Sequence, residues 1–246
     1  MLTNKGTVPS GRARRIARLL LLFLLAAAML GTCVSYPAED AAPILLRNPS
    51  PGVRVTVEAD RIVFVPERTE AGLLFYPGAL VAPEAYAPLM DALAARGMLC
   101  VLLRMPGNLA VLKQGAAESA RGDYPGISRW LVGGHSLGGS IAARAAAANS
   151  GHYDGLVLLA SFPADDLRES RLPVLSVYGS EDHVLDRENY AAAKRLLPED
   201  TRELVLSGGC HAGFGLYGPQ RGDGTPTLSR EEQIAQTAEA IIAMIH

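Results

Sequence analysis

Short apolar segments alternate with longer helix-like segments along most of the chain. Such near-continuous apolar strands are typical of a parallel sheet that helices cover on both faces. The predicted strands are residues 72–76, 98–103, 130–134, 155–160, 174–178 and 203–206, and the predicted helices are residues 83–96, 109–119, 141–148, 188–197 and 230–245. The pattern therefore predicts an α/β fold with a mostly parallel sheet.

Two alternating segments, residues 53–58 and 61–66, precede this series. Ala59 and Asp60 lie between them, which predicts a β-hairpin. Residues 35–52 are rich in proline and alanine and are predicted to form a linker. The folded domain is then expected to extend from residue 53 to residue 246, as a single α/β domain of ordinary size.

The strand predicted at residues 130–134 leads directly into Gly134-His135-Ser136-Leu137-Gly138 and an alanine-rich helix. This order is typical of a nucleophile elbow, a tight strand-to-helix turn that exposes a serine hydroxyl. Side chains two residues before and after the serine would collide, so both positions favour glycine. A glycine-rich turn without chemistry would not need serine at the strained position, and we therefore predict Ser136 as a nucleophile.

The first 34 residues have the layout of an export signal. A basic stretch is followed by the apolar run Leu19–Leu30 and by Gly31-Thr32-Cys33; the basic residues are Lys5, Arg12, Arg14, Arg15 and Arg18. Leu30 to Cys33 resembles a bacterial lipoprotein box, although threonine stands where glycine or alanine is common. Three routes remain open: lipidation at Cys33, a retained anchor, or a cleaved signal that releases the domain. All three place the domain outside the cytoplasm, and the first two make it membrane-associated.

Composition narrows the classes of function. The net charge is −2, so no basic surface for nucleic acid is expected. The three cysteines form neither a Cys-x-x-Cys pair nor a cluster with histidine, and we expect no metal and no cofactor.

A serine nucleophile needs a histidine base, and the chain has five histidines. His135 lies on the elbow, His152 lies a helix length away, and His246 ends the chain. His183 adjoins the segment from which the carboxylate is expected. His211 follows the last predicted strand among small residues, and we therefore predict His211 as the base.

The base is usually oriented by a carboxylate that lies between serine and histidine in the sequence. Asp182 follows the strand at residues 174–178 by a few positions and is the predicted acid. Glu181 is the alternative beside it, and Asp165 and Asp166 rank below both. Asp186 and Glu188 are expected to begin the next helix.

Two backbone N–H groups should stabilise the oxyanion that forms during acyl transfer. One is Leu137, directly after the nucleophile, at the positive end of its helix. The other should come from the loop after the strand at residues 72–76. Gly78 allows close approach there, and the N–H of Ala79 is the predicted donor.

Several segments together resemble a known family. They are residues 75–81, 104–112, 133–139 and 208–215, followed by the tail at residues 217–224 and 229–233. From about residue 73 onward the chain resembles the α/β-hydrolase fold-5 group of the dienelactone-hydrolase type. The resemblance implies an α/β-hydrolase fold and a triad of Ser136, Asp182 and His211. Dienelactone hydrolases proper use cysteine where this chain has Ser136, so their substrate is not carried over.

Only residues 161–172 separate two strands at the place where lids are usually inserted, so no substantial lid is expected. The sequence therefore predicts an extracytoplasmic serine hydrolase that cleaves a small-molecule ester or related acyl bond through an acyl-enzyme. The alternative is a membrane-tethered binding protein that keeps the fold without catalysis.

Overall fold

Eight strands form one sheet in the order β1-β2-β4-β3-β5-β6-β7-β8. The computed structural model describes residues 35–246. The strands are β1 (Val53–Val57), β2 (Arg61–Pro66), β3 (Ala71–Tyr76), β4 (Met98–Leu103), β5 (Trp130–His135), β6 (Gly155–Leu159), β7 (Val174–Gly179) and β8 (Arg202–Leu206). The first two pair as the predicted antiparallel hairpin, β2 is antiparallel to β4, and all other pairs are parallel.

Helices cover both faces of this sheet. They are α1 (Ala41–Arg47), α2 (Ala87–Ala94), α3 (Ala116–Gly122), α4 (Leu137–Ala148), α5 (Arg187–Ala193) and α6 (Arg230–Ile242). The apolar residues of α2 and α6 pack on one face, and those of α3 and α4 pack on the other. Strands β3, β4 and β5 are buried along their whole length, as the near-continuous apolar runs predict.

The prediction of a helix over residues 109–119 is wrong in its first part. Two short 3-10 turns, Pro106–Asn108 and Ala110–Leu112, come first, and α3 begins only at Ala116. Asn108 has a φ of 55°, and its carbonyl accepts a hydrogen bond from Leu80 N–H at 2.8 Å. This tertiary contact fixes the segment as a loop despite its apolar, helix-like composition.

The segment predicted as a linker contains helix α1 and packs on the domain. Tyr36 N–H donates to Leu80 O at 2.9 Å, and Ala42 is fully buried. Ser50 bonds the Asp91 carboxylate through its N–H and its hydroxyl. Residues 36–246 thus form one compact unit, because the apolar side chains among the alanines and prolines bury themselves against the core.

Between residues 35 and 246, no helix is long and apolar enough to cross a membrane. The predicted export signal, with Leu19–Leu30 and Cys33, lies outside the described residues.

Candidate active site

Ser136 occupies the strained turn between β5 and α4. Its φ and ψ are 52° and −124°, values that L-residues rarely adopt, and its N–H donates to Leu159 O at 2.9 Å. Ser136 is partly exposed, whereas the neighbouring strand β5 is buried. The fold therefore presents this serine at the surface, as the elbow motif predicts.

The elbow closes because glycine stands on both sides of the serine. A Cβ on Gly134 would lie 2.5 Å from the backbone carbon of Gly138. A Cβ on Gly138 would lie 2.3 Å from the carbonyl oxygens of Tyr76 and Pro77. Since these obstacles are backbone atoms, a side chain at either position would force the turn open.

Asp182 and His211 form a buried pair at the same edge of the sheet. His211 Nδ1 lies 2.9 Å from Asp182 Oδ2, and each residue is only 1% exposed. Asp182 Oδ1 accepts two backbone N–H groups, from Val184 at 3.0 Å and Leu185 at 2.8 Å. Both carboxylate oxygens are thus occupied, which fixes the carboxylate towards the imidazole.

Opposing effects act on the pKa of Asp182, and its hydrogen bonds prevail. Burial raises this pKa, but the hydrogen bond and charge of His211, with the two backbone donors, lower it more. The carboxylate is therefore ionised at neutral pH and accepts the His211 Nδ1–H. With Nδ1–H donated to Asp182, Nε2 is the ring nitrogen that can take up a proton.

The structure brings Ser136 and His211 to one edge of the sheet without a hydrogen bond between them. The serine follows β5, Asp182 follows β7 and His211 follows β8, and these parallel strands end at the same edge. His211 Nε2 is buried and has no partner among residues 35–246. Catalytic hydrogen bonds are often looser before substrate binds, so the geometry is compatible with a resting triad.

The backbone donors predicted for the oxyanion lie in two neighbouring segments. In the oxyanion loop, defined as residues 77–80, Gly78 N–H donates to Tyr86 Oη at 2.9 Å and Leu80 N–H donates to Asn108 O. Ala79 N–H has no acceptor within the described part of the chain, nor has Leu137 N–H at the start of α4. The N–H groups of Ala79 and Leu137 are therefore without an acceptor in the described residues, and so is that of Gly138.

Comparison with known proteins defines the family. The model of the "Alpha/beta hydrolase family" matches residues 72–235, more than half of the chain. The chain belongs to the alpha/beta hydrolase family. No curated protein sequence matches it.

Solved structures of other hydrolases share this family fold. An esterase domain from Rhodothermus marinus has 15% identity and a TM-score of 0.58, with 78% of this chain and 96% of that chain covered. Dienelactone hydrolase from Anabaena variabilis has 16% identity and a TM-score of 0.55, with 78% and 96% covered. Est1E from Butyrivibrio proteoclasticus has 16% identity and a TM-score of 0.54, with 79% and 99% covered. At these identities the likeness shows the fold.

The carboxylates that the sequence analysis gave as alternatives to Asp182 have other partners. Glu181 accepts a hydrogen bond from Ser180, and Asp165 pairs with Arg144 at 3.0 Å. Asp186 caps α5, as predicted for that position. Asp182 is the carboxylate that contacts His211.

Two residues that support the segment around His211 were not predicted from the sequence. The base loop, defined as residues 207–214, rests on Asp223, whose carboxylate accepts the N–H groups of His211 at 3.1 Å and Ala212 at 2.8 Å. Gln233 bonds both the N–H and the carbonyl of Cys210. Asp223 and Gln233 both lie in the tail segments, residues 217–224 and 229–233, that carry the family resemblance. That resemblance was the signal in the sequence that could have indicated them.

The segment where relatives could carry a lid is short. Between β6 and β7 the only regular element among the described residues is the 3-10 turn Arg168–Ser170. A cavity of about 680 Å³ lies behind the base loop, against residues 218–226 and the start of α6, and Ser136 does not line it. Ser136 itself is partly exposed.

Proposed function

We propose that this chain is a serine hydrolase that cleaves ester or related acyl bonds through an acyl-enzyme on Ser136. The carrying observation is the buried Asp182–His211 pair at the sheet edge where the strained elbow presents Ser136. Strain of this kind persists where the surrounding structure maintains it and is concentrated at functional sites.

The proposed reaction begins with transfer of the Ser136 proton to His211 Nε2 while Oγ attacks the substrate carbonyl carbon. The carbonyl oxygen becomes an oxyanion, which accepts hydrogen bonds from Ala79 N–H and Leu137 N–H. His211 then donates its proton to the leaving alcohol as the bond to that alcohol breaks. Water, deprotonated by the same nitrogen, hydrolyses the acyl-serine and restores the enzyme.

Asp182 contributes by orientation and by charge. Its bond to Nδ1 keeps the acceptor nitrogen, Nε2, available for the serine proton. Its negative charge, in a buried site with little solvent screening, stabilises the imidazolium that forms when His211 takes the proton.

The short connection between β6 and β7 supports small-molecule acyl substrates that bind from an open surface. Esters, thioesters and other short acyl compounds suit this site because the connection between β6 and β7 holds a single 3-10 turn and no inserted lid. A lipase whose site is closed by a large lid does not match this arrangement.

A covalent-probe experiment tests the proposal. The full-length chain should react with a fluorophosphonate and hydrolyse p-nitrophenyl acetate, and Ser136→Ala should abolish both while the thermal unfolding midpoint stays close to that of the wild type. Ser119→Ala, at an exposed serine on α3, is the matched control and should retain both. Full activity in Ser136→Ala would refute the nucleophile, and an unreactive, folded wild type would favour the non-catalytic binding protein.

For location, we propose an extracytoplasmic domain held at the membrane by its N-terminal segment. The support is the order of basic residues, the apolar run Leu19–Leu30 and Cys33 in the sequence. A lipoprotein would carry a diacylglyceryl group on Cys33, and Cys33→Ala would block its maturation. A retained helix would be indifferent to that change, and a cleaved signal would release soluble protein. Full-length protein with an intact N-terminus in the cytosolic fraction would contradict all three routes.

A further inference from the structure

A buried chain of hydrogen bonds joins the oxyanion loop to the residue that precedes the nucleophile. Gly78 N–H donates to Tyr86 Oη at 2.9 Å, and Tyr86 Oη lies 2.8 Å from His135 Nδ1. Tyr86 is fully buried and His135 is 1% exposed. The triad needs neither side chain for proton transfer, so their polar contacts require another explanation.

The direction of these hydrogen bonds follows from the donors available. The Tyr86 oxygen accepts from Gly78 N–H, and its single proton finds an acceptor when it is donated to His135 Nδ1. His135 is then a neutral imidazole with its proton on Nε2. Burial, followed by the nearby His211, holds the pKa of His135 well below its usual value, and burial raises the pKa of Tyr86. Both side chains are therefore uncharged at neutral pH.

The oxyanion loop lies directly against this pair. A Cβ on Gly78 would be 2.9 Å from both His135 Nδ1 and Tyr86 Oη, so no side chain fits between the loop and the two rings. Contact this close transfers any displacement of either ring to the loop backbone.

Ala79 lies between two residues whose N–H groups are fixed. Gly78 is held by Tyr86 on one side, and Leu80, with a φ of 62°, is held by Asn108 on the other. The unpaired N–H of Ala79 takes its direction from these two anchors. The Tyr86 anchor leads through His135 to Ser136, so the donor and the nucleophile share one rigid connection.

His135 also contacts the base. Its ring centroid lies 4.5 Å from that of His211 and 5.5 Å from that of Phe214 in the base loop. One buried ring is therefore in contact with the histidine of the triad and, through Tyr86, with the oxyanion loop.

We infer that Tyr86 and His135 are positioning residues that orient the Ala79 N–H towards the oxyanion formed on Ser136. The inference rests on the proposed function, and it assigns neither residue a part in proton transfer. Loss of the chain should misalign a donor used only in the transition state, which lowers kcat and leaves KM nearly unchanged.

Three variants of the full-length chain test this role. Tyr86→Phe removes one hydroxyl, and His135→Leu removes the acceptor. His135→Asn keeps an acceptor oxygen near the position of Nδ1 and should restore much of the activity. Loss of one complete oxyanion donor costs about 100- to 1,000-fold in kcat, so a misaligned donor should cost about 10- to 100-fold in Tyr86→Phe and His135→Leu. Tyr190→Phe, which removes a buried hydroxyl bonded to Ser176 and Glu203, is the matched control.

The decisive readout is the affinity for an alkyl boronic acid, which forms a charged tetrahedral adduct with a serine. Its inhibition constant should rise in proportion to the loss of kcat in Tyr86→Phe, because both report on the oxyanion. A merely structural role would lower the unfolding midpoint and leave the boronic acid affinity of the folded enzyme unchanged.

The outcomes separate the two proposals. An active wild type with Tyr86→Phe and His135→Leu both within twofold in kcat would overturn the positioning role alone. A wild type that neither hydrolyses esters nor reacts with fluorophosphonate would overturn the proposed function and this inference with it.

Discussion

Replacing Asp182 by asparagine tests the electrostatic core of the site with almost no change in shape. Asp182 Oδ1 accepts two backbone N–H groups, and Oδ2 accepts His211 Nδ1–H. An asparagine side chain has only one oxygen. The N–H groups of Val184 and Leu185 compete for this oxygen with the single N–H of His211. The oxygen should therefore take the Oδ1 position, and the amide NH₂ should face His211.

The consequence is a change of tautomer. With an NH₂ group opposite, His211 Nδ1 must accept a hydrogen bond, so the proton of the neutral ring moves to Nε2. Nε2 then cannot take the serine proton. In a triad, this substitution costs about 10⁴ in kcat, which corresponds to about 5.5 kcal/mol of activation free energy.

Steady-state hydrolysis of p-nitrophenyl acetate measures the effect. Asp165→Asn, which removes the alternative carboxylate paired with Arg144, is the matched control and should stay within about twofold of the wild type. A loss in Asp182→Asn of less than tenfold, or an equal loss in Asp165→Asn, would refute the assignment of the acid.

Three further predictions concern the elbow, the base loop and acid stability. Gly138→Ala places a Cβ 2.3 Å from backbone oxygens and should lower the free energy of chemical unfolding by about 3 kcal/mol. Gly126→Ala, whose Cβ meets no atom within 4 Å, is the control and should leave this free energy nearly unchanged. Equal effects of the two substitutions would contradict the steric argument. Asp223→Asn should lower the unfolding free energy by about 1–3 kcal/mol, because one N–H of the base loop loses its acceptor. The same variant should reduce kcat/KM. Unchanged values in both assays would show that Asp223 does not support the base loop. Because burial lowers the pKa of His135 from 6.5, the unfolded chain takes up a proton that the folded chain does not, so stability falls as pH drops below about 6.5. His135→Asn should flatten this decline by up to about 1.4 kcal/mol per pH unit, and an identical slope would disprove it.

The centre of the sheet could be predicted from the sequence because strands β3 to β6 are apolar and buried on both faces. Residues 98–103 and 130–134 needed no tertiary information, since their composition already excludes exposure. The elbow could be predicted because backbone sterics dictate glycine at Gly134 and Gly138.

What the sequence did not predict depends on contacts between distant residues. The loop before α3 is held by the bond between Leu80 and Asn108, and no local propensity reveals it. Asp223 supports the base loop across 12 positions of sequence, in a stretch whose composition is that of an ordinary loop. The pairing of His135 with Tyr86 likewise appears only after β5 is packed against the 3-10 turn Pro83–Tyr86 that precedes α2.

The most direct measurement of the central claim is the site of acylation. The enzyme is mixed with p-nitrophenyl acetate, quenched in acid within the first turnovers, digested and mapped by mass spectrometry. The account predicts an acetyl group on Ser136 in the wild type and none on this peptide in Ser136→Ala. An acetyl group that maps reproducibly to another residue, with turnover retained in Ser136→Ala, would contradict it.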